Sequence, residues 1–107
     1  TGGGIPGKLG RVLKSSGVGA EMHDLFEPPK IMLHCQKQGN IEDSEAYKTW
    51  NMGNGMLIIT PEPDKVIEVA KKNNIDAKIC GKIIEERVIR IKNKGFNKQE
   101  DILEFEF

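Results

Sequence analysis

Arg87-Val88-Ile89-Arg90-Ile91-Lys92 is followed by a polar stretch over 93–101 and then by Ile102-Leu103-Glu104-Phe105-Glu106-Phe107. In the last run, Leu103, Phe105 and Phe107 alternate with Glu104 and Glu106. A period of two places one residue set on a core and the other in water, as on a half-buried edge strand. The two runs therefore read as the arms of a hairpin spanning 87–107. A hairpin pairs antiparallel, so it decides the fold class. Strands mixed with helices and closed by such a hairpin predict an α+β domain, a mixed sheet packed with helices, rather than an all-parallel α/β sheet.

Working back from the hairpin, Ala77–Ile83 reads as a strand. Pro61 to Pro63 lead into a helix ending at Asn73, with Val66, Ile67, Val69 and Ala70 as its apolar face. Trp50–Thr60 is the most strand-like run, although it contains Gly53 and Gly55. Glu42–Tyr47 reads as a short helix capped by Asn40. Pro28-Pro29 open another helix, striped by Ile31, Met32 and Cys35 and stopped at Gly39. Val18–His23 reads as a strand, and Leu9–Leu13 as a helical turn. Thr1–Gly10 holds five glycines and a proline and reads as a loop whose backbone can approach a ligand closely.

With 107 residues the chain has room for one modest core. Lys plus Arg and Asp plus Glu each number 16, giving zero formal net charge and no electrostatic footprint for nucleic acid or an anionic membrane surface. The longest apolar run, Met56-Leu57-Ile58-Ile59, is far short of a membrane span. Cys35 and Cys80 lack metal-type spacing and are expected to be reduced and buried, in a cytoplasmic protein. Thr1 stands in place of a starting Met and runs directly into glycines, which reads as a fragment of a longer protein.

Gly2 to Lys8 nearly matches the phosphate-binding loop of nucleotide hydrolases, with two glycines five apart and then lysine. That motif needs a hydroxyl after the lysine to hold magnesium, and Leu9 supplies none. Consecutive glycines can instead present backbone N–H groups to an anion without that topology. Lys8 and Arg11 would add positive charge. Asn51, beside Gly53 and Gly55, is a second candidate ligand contact, because the glycines admit close backbone approach. His23 and His34 have no partners at metal-ligand spacing. Glu42-Asp43 and Glu85-Glu86 read as solvated pairs.

Thr1-Gly2-Gly3-Gly4-Ile5-Pro6-Gly7, with Arg11-Val12-Leu13 at its spacing, resembles the glycine signature of aminoimidazole ribonucleotide synthases. Tyr47-Lys48-Thr49 followed by Trp50-Asn51-Met52-Gly53-Asn54-Gly55-Met56 resembles the second signature of that family. Pro28-Pro29, Gly39-Asn40 and Gly81-Lys82-Ile83 follow in the family's order, so the resemblance runs from Thr1 to about Ile84. It departs at Lys8 and Gly10, where the family usually has asparagine and proline. It departs also at Trp50, where phenylalanine is usual, and in a longer tail, Phe96–Phe107.

The resemblance implies a phosphoribosylformylglycinamidine cyclo-ligase of purine biosynthesis. Such enzymes use ATP and Mg2+ to activate the amide oxygen of formylglycinamidine ribonucleotide as a phosphate ester. An internal nitrogen then attacks, phosphate leaves, and the imidazole ring closes. It also implies that residues 1–107 are the C-terminal part of the C-terminal domain, truncated at its N-terminal side. ATP and Mg2+ would be bound mainly by an N-terminal domain that also forms a homodimer. The substrate-binding residues it implies are Thr1, Gly2, Gly3, Gly4, Arg11, Asn51 and Gly53, with no metal ligand and no catalytic residue identified within the chain. The piece alone is then expected to be inactive, and to expose an apolar surface where the rest of the domain would pack. Two alternatives stand beside this reading. One is a thiamine-phosphate or selenophosphate-forming kinase of the same superfamily, and the other is a non-catalytic binding or assembly module.

Overall fold

The computed structural model describes residues 3–107; Thr1 and Gly2 lie outside the described residues. Its elements run α1 (Gly4–Ser16), β1 (Gly19–Met22), α2 (Lys30–Gln38), α3 (Asp43–Thr49), α4 (Pro63–Lys72), β2 (Lys82–Ile84), β3 (Ile89–Lys92) and β4 (Ile102–Phe105). The four strands form one sheet in the order β2-β1-β3-β4. β1 pairs antiparallel with β2 and parallel with β3, while β3 and β4 pair antiparallel. The architecture is α+β with a mixed sheet, as the terminal hairpin predicts.

The hairpin register places Ile89 opposite Phe105 and Ile91 opposite Leu103. All four are buried, and Arg90 on the outer face pairs with Glu86 at 2.7 Å and Glu104 at 3.1 Å. α1 lays Ile5, Leu9 and Leu13 on this sheet and against α3. Tyr47, Met52, Leu25 and Met22 complete the core. No helix among the described residues is long and apolar enough to cross a membrane.

Three expectations need correction. Gly4–Ser16 is a helix where a loop over residues 1–10 was expected. The spacing of Ile5, Leu9 and Leu13 gives one apolar stripe, whose burial outweighs the weak helix propensity of glycine. Pro6 lies in the first turn, where its missing N–H leaves no helical bond unmade. Trp50–Thr60 does not form a strand. Met52 and Gly53 take left-handed φ of 50° and 91°, which turns the chain, and residues 54–60 beyond them join no ladder. Of the run Ala77–Ile83, only Lys82 and Ile83 join the sheet, within β2.

The apolar stripes of two helices are also shallower than their patterns suggest. In α2 the buried residue is Gln36, while Ile31 and Cys35 are exposed. In α4, Val66, Ile67 and Ala70 are half-buried and Val69 is exposed. Asn40 has a left-handed φ of 51°, and Glu42 rather than Asn40 occupies the cap position of α3. Met56, Ile58, Ile59, Ile79 and Ile83 stand exposed around an apolar groove between α4 and the segments 54–60 and 76–83.

Candidate functional site

The start of α1 is built to sit close to α3. Gly3, the cap residue, and Gly4 both have left-handed φ, at 92° and 55°. A Cβ on Gly4 would lie 1.9 Å from the Tyr47 carbonyl oxygen, so only glycine fits. No side chain caps this helix end, which leaves its first-turn amides without an internal acceptor. One turn on, a Cβ at Gly7 would meet nothing within 4 Å. That side of the helix faces open space.

The open space is a cleft of about 350 Å³, lined among others by Gly3, Gly7, Arg11, Lys14, Lys48 and Phe107. Arg11 and Lys14 project from α1, and Lys48 comes from the last turn of α3. Among the described residues, none of these three cations makes an ion pair. The arrangement suits an anion: unpaired positive side chains beside a helix N-terminus, whose dipole also favours negative charge.

The structure divides the sequence candidates. Gly3 and Arg11 line the cleft, Gly4 is buried behind it against α3, and Thr1 and Gly2 lie outside the described residues. Asn51 and Gly53 belong to a turn instead. Asn51 Oδ1 accepts the Gly53 N–H at 2.9 Å, and the Asn51 carbonyl accepts the Asn54 N–H at 3.0 Å. A Cβ on Gly53 would come within 3.0 Å of the Glu27 carbonyl oxygen, so this turn packs on residues 27–29 and not on the glycine helix. Asn54 fixes the contact through Oδ1, which accepts the Phe26 N–H at 2.9 Å.

Sequence reasoning passed over Lys14, Lys48 and Phe107, and it misread Asp43. Asp43 is buried, not solvated, and its carboxylate collects four donors. Gln36 Nε2 donates at 2.6 Å and Asn93 Nδ2 at 2.8 Å. The backbone N–H groups of Asn97 and Lys98 follow at 3.1 and 2.8 Å. Burial pushes this carboxyl up, but the donors from Asn93, Gln36, Asn97 and Lys98 together outweigh it and hold the group below its ordinary range. The result fastens the 93–101 loop to α2 and α3. An acid at a helix start carries no local sign that donors distant in sequence converge on it.

The residues present do not fit magnesium-bound ATP. Among the described residues, no group of three His, Cys, Asp or Glu side chains converges to hold a metal ion. Gly4 to Lys8, which a nucleotide phosphate loop would need as loop, is helix. Cys35 is exposed, contrary to expectation, and burial pushes the half-buried Cys80 thiol up; both are free.

Residues 1–94 match the model of a protein family described as AIR synthase related protein, C-terminal domain. The chain belongs to that family. It is 45% identical over 87 residues to the phosphoribosylformylglycinamidine cyclo-ligase of Methanosarcina barkeri, covering 80% of this chain and 24% of that protein. The protein of the same name from Methanococcus maripaludis is 37% identical over 105 residues, 96% of this chain and 28% of its own. The one from Staphylococcus carnosus is 39% identical over 88 residues, 79% of this chain and 25% of its own. The chain thus spans about a quarter of the length of the curated relatives it matches. The Asn51–Asn54 turn and the α1 and α3 side of the cleft fall inside the span matched by the family model, while residues 95–107, Phe107 on the cleft's other side included, fall past it.

Proposed function

We propose that this chain is the substrate-side part of a phosphoribosylformylglycinamidine cyclo-ligase, and that its cleft holds the phosphate of formylglycinamidine ribonucleotide. The observation that carries the reading is the trio Arg11, Lys14 and Lys48, unpaired among the described residues and gathered beside Gly3 at the uncapped end of α1. A phosphate monoester carries nearly two negative charges at neutral pH, which such a set neutralises. Gly3 and Gly7 let the ligand approach the backbone. Asn51 and Gly53 then act by shaping the turn that follows Lys48, three residues from the cleft. The names of the relatives support the reaction class.

On this reading ATP and Mg2+ bind elsewhere in the whole enzyme, on an N-terminal domain that also forms its homodimer in the cytoplasm. Residues 1–107 are the C-terminal part of its C-terminal domain and are inactive by themselves. The test is calorimetric titration of formylglycinamidine ribonucleotide into the chain, with Gly3→Asp and Lys48→Ala as comparisons. Binding that both variants lose supports the assignment; binding that neither variant alters sinks it. Release of ADP from ATP and that substrate by the pure chain would overturn the predicted inactivity.

A further inference from the structure

The tail past the family model and Gly10 of α1 meet in space. Residues 95–107 lie past the span matched by the family model. They nevertheless form β4, the edge of the sheet, and carry the chain back over α1. Leu103 and Phe105 occupy the core-facing positions of β4, and continued alternation brings Phe107 to the same side. A Cβ on Gly10 would sit 3.1 Å from Phe107 Cβ and 3.4 Å from its ring Cγ. Phe107 therefore lies directly on Gly10, in room that any side chain there would take. The Asp43 cluster secures the loop from which β4 departs.

Phe107 also lines the cleft that holds Arg11, Lys14 and Lys48, and it keeps 36% of its surface exposed. The cleft thus has two unlike walls, one cationic and one formed by the Phe107 ring beside the exposed Glu106. A bare phosphate uses only the first. A sugar phosphate carrying a flat amide or amidine group can use both, because a planar or cationic group gains by lying against an aromatic face.

Resting on the phosphate-site reading above, we infer that Phe107 is a specificity-determining residue, selecting sugar phosphates that bear a planar amide or amidine group over simpler phosphates. Gly10 acts through it by leaving the ring its seat.

Titration of the full 107-residue chain with ribose 5-phosphate and with formylglycinamidine ribonucleotide tests this. The unaltered chain is expected to prefer the second ligand. Phe107→Ala should cut that preference, read as the ratio of the two affinities, by roughly threefold to tenfold. Phe107→Leu keeps an apolar group on Gly10 and should lose the preference as well, which separates the aromatic face from mere packing. Gly10→Ala should weaken the preference by displacing the ring. Retention of the full preference in both Phe107 variants overturns the inference and leaves the phosphate site standing. Absence of binding by either ligand overturns the phosphate site and the inference together.

Discussion

Asn93 Nδ2 donates to Asp43 Oδ2 at 2.8 Å, joining the end of the hairpin's first arm to the first residue of α3 across fifty residues of sequence. The same carboxylate takes the backbone of the loop that leads into β4. Gly95 belongs to this fit, since a Cβ there would lie 2.3 Å from Asp43 Oδ1. No buried side-chain polar atom among the described residues is left without a partner. Removing the carboxylate therefore strands several donors at once.

Asp43→Ala is expected to destabilise the chain by about 2–4 kcal/mol, the cost of leaving buried donors unpaired. Chemical denaturation measures it. The pH dependence follows from the lowered carboxyl. Its contribution is complete above the unfolded value near 3.8 and is lost as pH falls through the lower folded value. Unfolding midpoints of the unaltered chain should drop below about pH 4. Asp43→Asn should lack this group's share of that drop; an identical acid profile in the variant would refute the assignment.

Two glycines of α1 should respond in opposite directions. Gly4→Ala forces a side chain into left-handed backbone and against the Tyr47 carbonyl, with loss of at least about 3 kcal/mol or failure to fold. Gly7→Ala meets nothing within 4 Å and lies inside the helix, so it should gain about 0.5–1 kcal/mol. Because Gly7 lines the cleft, the same change should weaken phosphomonoester binding. Thermal denaturation and titration of the two variants check both halves. A stabilised Gly7→Ala chain that binds as before would place the ligand away from this helix face.

The alternation of Leu103, Phe105 and Glu104 was enough to read the hairpin, because a strand's two faces are written in adjacent residues. Thr1–Gly10 misleads because glycine content is a local signal, whereas the burial of Ile5, Leu9 and Leu13 that makes α1 a helix depends on what packs against it. Met56 to Ile59 mislead in the other direction. Their composition suits a strand, but a ladder needs a neighbour, and the described residues place none there. Gly3 and Arg11 were legible as neighbours since they share one motif, and both line the cleft. Lys48 and Phe107 reach the cleft from α3 and from past β4, and only the assembled sheet and helices bring them together.

Thiol chemistry should distinguish the two cysteines. Cys35 is exposed, whereas Cys80 is half-buried with its thiol pushed up by that burial. The thiolate is the reacting form, so a maleimide at neutral pH should label Cys35 first and Cys80 only slowly, on the order of tenfold or more behind. Mass spectrometry of a time course resolves the order. Equal rates at both positions would mean that the segment carrying Cys80 opens readily.

Tyr47 offers a final check, on the core itself. It is the chain's one tyrosine, so its ionisation can be followed by ultraviolet absorption without ambiguity. Its ring is fully buried, and burial pushes the phenol up to about 12, against a smaller opposing effect from the Lys94 N–H that donates to Tyr47 Oη at 3.3 Å. The folded state thus holds this proton more tightly than the unfolded one. Stability from the group is complete below the unfolded value of about 10 and is lost as pH rises towards 12. Tyr47→Phe removes that alkaline dependence and the acceptor for Lys94, at about 1 kcal/mol near neutral pH. Phenolate absorption appearing at its ordinary pH while the chain remains folded would show that Tyr47 is open to water, and that α1 and α3 do not close over it.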